Sequence, residues 1–412
     1  MIRRRVGRSV CSARTPLAYT LTMRPVAVLL PLLTLSALTV SSAQSGDPAR
    51  ALFQSCGGVQ DAGLPSGMMP GTYRGLLGSQ PITLELSGKS GQGGGEQADR
   101  YSYDRYGLDI ALDRGRPGNR TASDALLAVE SVDDFGDSSV RGCLELAADG
   151  SGLQGAWRTP DGQKRLAVSL KPVNVAAVPL ALPASPGLLK LRQSDPYTFL
   201  KLNRPWARVP GGLKEAYTGV SFPRVVGGTA ALNAALQDRQ LKQVQDAFDC
   251  RGGDGINLKN GTDFSGTGTL SWQSARLVSL HENVEYYCGG AHPDNYTSGA
   301  TLDARTGREL TLTGKPGSLW PGLSKTGLQK LYAAGYKEDG DIAECLDMIS
   351  VQEVSTEYDN YTLYLTRQGL ALWPTYLPHV AGACAEVVTV PYAQLRPLAD
   401  PKSLYFRDLY PR

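Results

Sequence analysis

Histidine is the scarcest reactive side chain in this sequence: 412 residues carry three, His281, His292 and His379. None stands at metal-ligand spacing from another and no HExxH or HxH occurs, so the usual zinc-hydrolase signatures are missing. There is no CxxC pair, no GxSxG elbow, no SxxK and no glycine-rich loop ending in GK[ST]. The common routes to serine hydrolases, nucleotide enzymes and zinc ribbons are therefore closed. Gly252-Gly253-Asp254-Gly255 lacks a strand before it and a helix after it in dinucleotide-binding order, and reads as a loop. Heptads and internal repeats are absent as well. No metal, cofactor or catalytic residue is expected from these patterns.

Long apolar runs are also lacking. Val26 to Val40 is of the length of a signal sequence and short of the roughly 20 residues of a membrane span. Val40-Ser41-Ser42-Ala43 supplies small residues for cleavage, so residues 1–43 read as a signal peptide. Met23 is a candidate start, because Met1 to Thr22 is arginine-rich. The leader holds six arginines and no acid. Taking them from the 42 basic residues leaves 36 against 39 acids, a mature chain near −3. Such a balance gives no support for nucleic-acid binding. Of seven cysteines, Cys11 falls in the leader. Cys56, Cys143, Cys250, Cys288, Cys345 and Cys384 form an even set at irregular spacing, which points to disulfides in an oxidising, extracytoplasmic compartment.

Apolar patterning divides the rest. Residues 44–69 read as a lead-in. From Gly71 the sequence alternates with period two, as in Ile82-Thr83-Leu84-Glu85-Leu86, and turn residues recur every 10 to 14 positions. Six to eight short strands over 70–172 predict an antiparallel β meander, either a small barrel or a curved sheet. Residues 173–204, with the Ala/Pro-rich Val173 to Ser185, read as a linker. Residues 205–400 combine strands with two or three helices, at Ala230 to Phe248, Leu319 to Tyr332 and, shorter, Asp341 to Leu346. Residues 401–412 are left as a tail. The fold class expected is α+β, with mostly antiparallel sheets.

Several blocks of the C-terminal part carry a resemblance. They are Tyr286-Tyr287-Cys288-Gly289-Gly290-Ala291-His292-Pro293, Leu302-Asp303-Ala304-Arg305-Thr306-Gly307-Arg308-Glu309-Leu310-Thr311-Leu312, Gly369-Leu370-Ala371-Leu372-Trp373-Pro374 and Val388-Thr389-Val390-Pro391-Tyr392-Ala393-Gln394-Leu395. In this order they are similar to an extracytoplasmic bacterial family, the RsiV-like and PdaC-like C-terminal domains, over about residues 205 to 400. The small β domain before it resembles a module found ahead of that domain. The resemblance implies a non-catalytic cell-envelope binding protein that recognises lysozyme, another envelope protein or peptidoglycan-related material. This chain lacks the cytoplasmic sigma-binding segment of the former and the Thr-Phe-Asp-Asp-Gly-type deacetylase motif of the latter. The resemblance also places the Cys288 and Cys384 blocks together. It implies a Cys288–Cys384 bridge, with Cys250–Cys345 as the second bridge of the C-terminal domain and Cys56–Cys143 closing the N-terminal domain.

Recognition is expected on the loop from Trp373 to Gly382, with Trp373, Tyr376 and His379 around the two prolines Pro374 and Pro378, because loops on rigid sheets concentrate binding residues. The Gly289, Gly290 and Pro293 turn with His292 is expected beside it. The competing reading is an envelope hydrolase using a carboxylate pair or a His–acid pair, since two glycosidase carboxylates can lie far apart in sequence.

Overall fold

The structure is a computed structural model, and it describes residues 48–88, 99–118, 125–134, 137–252, 263–289, 292–337, 345, 349, 360–377 and 379–411. The segment expected to be a signal peptide, Gly290, Pro378 and most of the helix expected at Asp341 to Leu346 lie outside the described residues.

Period-two alternation produces eight consecutive strands: β2 Gly71–Leu77, β3 Gln80–Leu86, β4 Asp99–Tyr103, β5 Asp109–Pro117, β6 Leu126–Asp134, β7 Asp137–Asp149, β8 Gly152–Arg158 and β9 Arg165–Pro172. Each pairs antiparallel with the next, and β9 returns to β2, closing a barrel. Closure removes the free edges that an open meander would expose. The inward set, including Ile82, Leu84, Tyr101, Leu126, Leu144 and Val168, fills the interior, as expected for eight strands. Outside β6 and β7 lies α1 Pro48–Ser55. Its Phe53 packs with Leu127 and Val129, and the Cys56–Cys143 bond fastens the chain there. The adjoining β1 Gly58–Gln60 pairs with β5.

Residues 173–204 are not a bare linker. They form α2 Pro186–Ser194 and α3 Pro196–Leu202, with Leu188, Tyr197, Phe199 and Leu202 fully buried. The local cause is plain in retrospect. Ser185 and Asp195 accept from the backbone N–H of Leu188 and Thr198, and Pro186 and Pro196 follow each cap. A capping side chain with proline next is a helix start.

The following part has two layers of strand. In the first sheet, β10 Ala207–Val209, β11 Gly212–Lys214, β12 Ser221–Pro223, β13 Asp263–Gln273, β14 Leu277–Tyr287 and β15 Asp294–Asp303 lie in chain order, with only β12–β13 parallel. Helix α4 Ala230–Gly252 covers one face, where Leu232, Leu236, Val244 and Phe248 join Val278, Leu280 and Val284. A second sheet covers the other: β16 Tyr361–Leu365, β17 Gly369–Pro374 and β18 Val388–Pro391. Leu365 N donates to Ser279 Oγ at 2.9 Å and Thr362 Oγ1 to Thr297 O at 3.0 Å across the layers. His281, expected at a strand start on the surface, is in mid-strand, its ring 5.0 Å from that of Tyr364. The expected helix at Leu319 begins later. Ser324 caps α5 Lys325–Gly335, and the apolar Leu319-Trp320 before it is core. The supposed tail is also packed: Tyr410 accepts from Trp320 Nε1 at 2.9 Å, and Tyr405 donates to Asp303 at 2.8 Å. The whole is α+β, mostly antiparallel β.

Candidate functional site

Two expected disulfide pairings are corrected. Cys250 bonds Cys288, and Cys345 bonds Cys384. The reason is topological. Helix α4 runs across β13 and β14, so its last turn carries Cys250 to the end of β14, where Cys288 follows. The Gly289 turn and the Trp373 loop are thus held by separate bridges.

The expected binding residues have unlike surroundings. Trp373 sits half-buried on β17 opposite Thr362, whose hydroxyl reaches β15. Tyr376 is less free than a docking anchor would be. Its ring lies edge-on to Tyr361 at 5.4 Å, and its hydroxyl donates to Ile349 O at 3.4 Å. Burial pushes its phenol up. His379 opens a short 3-10 helix, His379–Cys384. His292 is exposed, with Nδ1 3.1 Å from Pro293 O. Gly289 has φ +101, the left-handed region that favours glycine.

A groove of about 330 Å³ opens at the ends of β13, β14 and β15, lined among others by Asp263, Glu285, Tyr286, Tyr287, Pro293 and Asp294. Tyr286 donates to Asp294 at 3.2 Å. Burial first, then the Asp294 charge, holds its phenol up. Nearby Tyr296 is pushed up to about 12, by burial first and then by Asp246 and Glu282. Sequence reasoning singled out Pro293 but missed the groove. Its only sequence signal was the Tyr286-Tyr287 pair before the turn.

The strongest electrostatic perturbations belong to the framework. Arg100 on β4 meets Glu85, Asp109 and Asp195 at 2.7, 3.5 and 3.1 Å. Asp109 also receives Lys201 Nζ at 2.6 Å and Tyr197 OH at 2.8 Å from α3. Burial pulls the Lys201 ammonium down, opposed by Asp109. This network ties barrel to helices, and the Lys201 ammonium lies 3.9 Å from the Phe248 ring centroid on α4.

Inside the barrel, Glu130 Oε1 accepts from Tyr101 OH and Trp157 Nε1, both at 2.6 Å. Burial raises the Glu130 carboxyl above its ordinary 4.5 despite those two donors. A carboxyl raised on folding adds stability that is complete below pH 4.5 and is lost as pH climbs through the folded-state value. Glu130→Gln, neutral throughout, should therefore gain stability relative to wild type with rising pH and lose that advantage below pH 4.5. Urea midpoints of both proteins across pH 3 to 8 read this out. Parallel curves would mean that Glu130 keeps the same affinity for its proton in both states.

Among the described residues no group of three or more His, Cys, Asp or Glu side chains could hold a metal ion. No helix among them is long and apolar enough to cross a membrane. Together these features define a disulfide-bonded α+β protein built on a closed barrel and two stacked sheets. No protein-family model matches the chain, and no curated protein does. Among solved structures it is similar to a DUF3298 family protein of Pseudomonas aeruginosa PAO1, with 18% identity over 34% of this chain and a TM-score of 0.26. The chain spans 63% of that protein's length. A second neighbour, a DUF3298 family member from Bacteroides fragilis NCTC 9343, has 14% identity over 74% of this chain and 99% of its own, with a TM-score of 0.28.

Proposed function

We propose that the chain is an exported cell-envelope binding protein, akin to the RsiV-like and PdaC-like domains, that recognises a protein partner such as lysozyme without catalysing a reaction. The observation that carries the compartment is the set of three disulfides, closing segments of 87, 38 and 39 residues. Cytosolic thiols rarely remain bonded in this way. The binding reading is supported by the concave sheet end beside Cys288, where half-buried Tyr286 and Tyr287 offer area with a polar handle. Trp373, Tyr376, His379 and His292 are the remaining proposed contacts.

The test is titration of the mature protein with lysozyme at about 0.15 M salt, where distant surface charges are screened, with a peptidoglycan pull-down in parallel. Tyr287→Ala and His379→Ala should each weaken binding about tenfold, a loss of about 1.4 kcal/mol. Tyr376→Phe, which keeps the ring against Tyr361, should bind as wild type. Undiminished affinity in both alanine variants would move the site elsewhere. Capture by peptidoglycan alone would replace the protein partner with a glycan.

A further inference from the structure

The barrel holds a second constellation, distinct from the proposed partner surface. Leu126 and Ala128 of β6 face the barrel interior and Leu127 and Val129 face α1, so the alternation turns Glu130 inward. The β6–β7 ladder shifts register immediately after Glu130, an irregularity of the kind that re-aims a side chain. Glu130 is 6% exposed, and both of its hydrogen bonds are made by Oε1. Among the described residues none donates to Oε2. That oxygen lies over the bare Cα of Gly142, where an added Cβ would come 2.5 Å from it and would also strike the Trp157 indole. A glycine is required for this carboxylate and this indole to meet.

The position is the end of the barrel. Tyr103 is the last residue of β4, Trp157 the penultimate residue of β8 and Leu166 the second of β9, and all three are half-buried. Tyr101 and Tyr103 meet edge to face at 5.6 Å. The indole already has an ammonium near it, since Lys164 Nζ of the β8–β9 turn is 5.8 Å from its centroid. An Oε2 with no donor among the described residues, beside an indole and two phenols at the end of the barrel, matches one ligand chemistry. A cation supplies the missing charge and gains from the aromatic faces, whereas an anion would be repelled by Glu130.

We propose that this barrel mouth binds a small organic ammonium ion, with Glu130 Oε2 meeting its charge and Trp157 and Tyr103 packing against its alkyl groups. The probe is choline, and its control is 3,3-dimethylbutan-1-ol, of the same shape without the charge. Calorimetric titration of the mature protein should show choline binding, the neutral analogue at least about tenfold weaker, and Glu130→Gln weakened about tenfold for choline. The glutamine keeps an acceptor for Tyr101 and Trp157, and near-ultraviolet circular dichroism reports whether the barrel stays intact. In the wild-type protein alone, the Trp157 indole N–H resonance, assigned by its loss in Trp157→Phe, should shift with choline and stay in place with the alcohol. Equal binding of the two probes, choline affinity unchanged in folded Glu130→Gln, or an unmoved indole resonance would each overturn the proposal.

Discussion

Replacing both Cys250 and Cys288 by alanine is expected to cost about 4 kcal/mol of stability, the chain-entropy value for a loop of some 40 residues. The bond joins the last turn of α4 to the end of β14, two elements that share one core. Without it the unfolded chain regains the freedom of the closed segment, while the folded state keeps its packing. The cost should appear as a lower urea midpoint with an unchanged transition slope. Cys345 and Cys384, with a separation of 39, should behave alike. Peptide mapping of the unreduced protein decides the connectivity directly. A peptide pair joining Cys288 to Cys384 would contradict the fold described, and a cost below about 1 kcal/mol would show that the loop is already constrained when unfolded.

Asp109→Ala should be comparably damaging, at roughly 3–5 kcal/mol, because it leaves a buried cation without its partner. Lys201 keeps 3% of its side chain exposed, and Asp109 is its carboxylate at 2.6 Å. Burial already depresses the Lys201 ammonium with Asp109 present. Removing the carboxylate deepens that penalty and also strips an acceptor from Tyr197 OH and an ion partner from Arg100. A double-mutant cycle with Lys201→Met separates the effects. The pair Asp109→Ala, Lys201→Met should recover much of the loss, since no unpaired charge is then buried. A double variant as unstable as the sum of the two singles would show that Asp109 acts through Arg100 and Tyr197 instead.

The barrel strands were the most legible part of the sequence. Ile82-Thr83-Leu84-Glu85-Leu86 became β3 because alternation reports directly which side chains turn inward. The helix at Ala230 was readable from its spacing and runs on to Gly252. Helices α2 and α3 were obscured because each is short and the alanine- and proline-rich stretch before them masked the Ser185-Pro186 and Asp195-Pro196 starts. Leu319 to Leu323 looked helical because an apolar run does not say whether it is a helix face or a core segment before a cap.

By itself, the sequence determined what depends on neighbours along the chain: strand periodicity, the α+β class, the even cysteine set and the left-handed glycine after Cys288. Tertiary structure alone decided what depends on meetings across the chain. The barrel closes because β9 reaches β2, a register that no local pattern encodes. Cys250 pairs with Cys288 because α4 packs on the sheet with its last turn beside the end of β14. Glu130 meets Tyr101 and Trp157 from strands 29 and 27 residues away, over a glycine whose purpose is visible only once the indole is beside it. Periodicity fixes which way a side chain faces, but the partner it finds there is set by packing between segments distant in the chain.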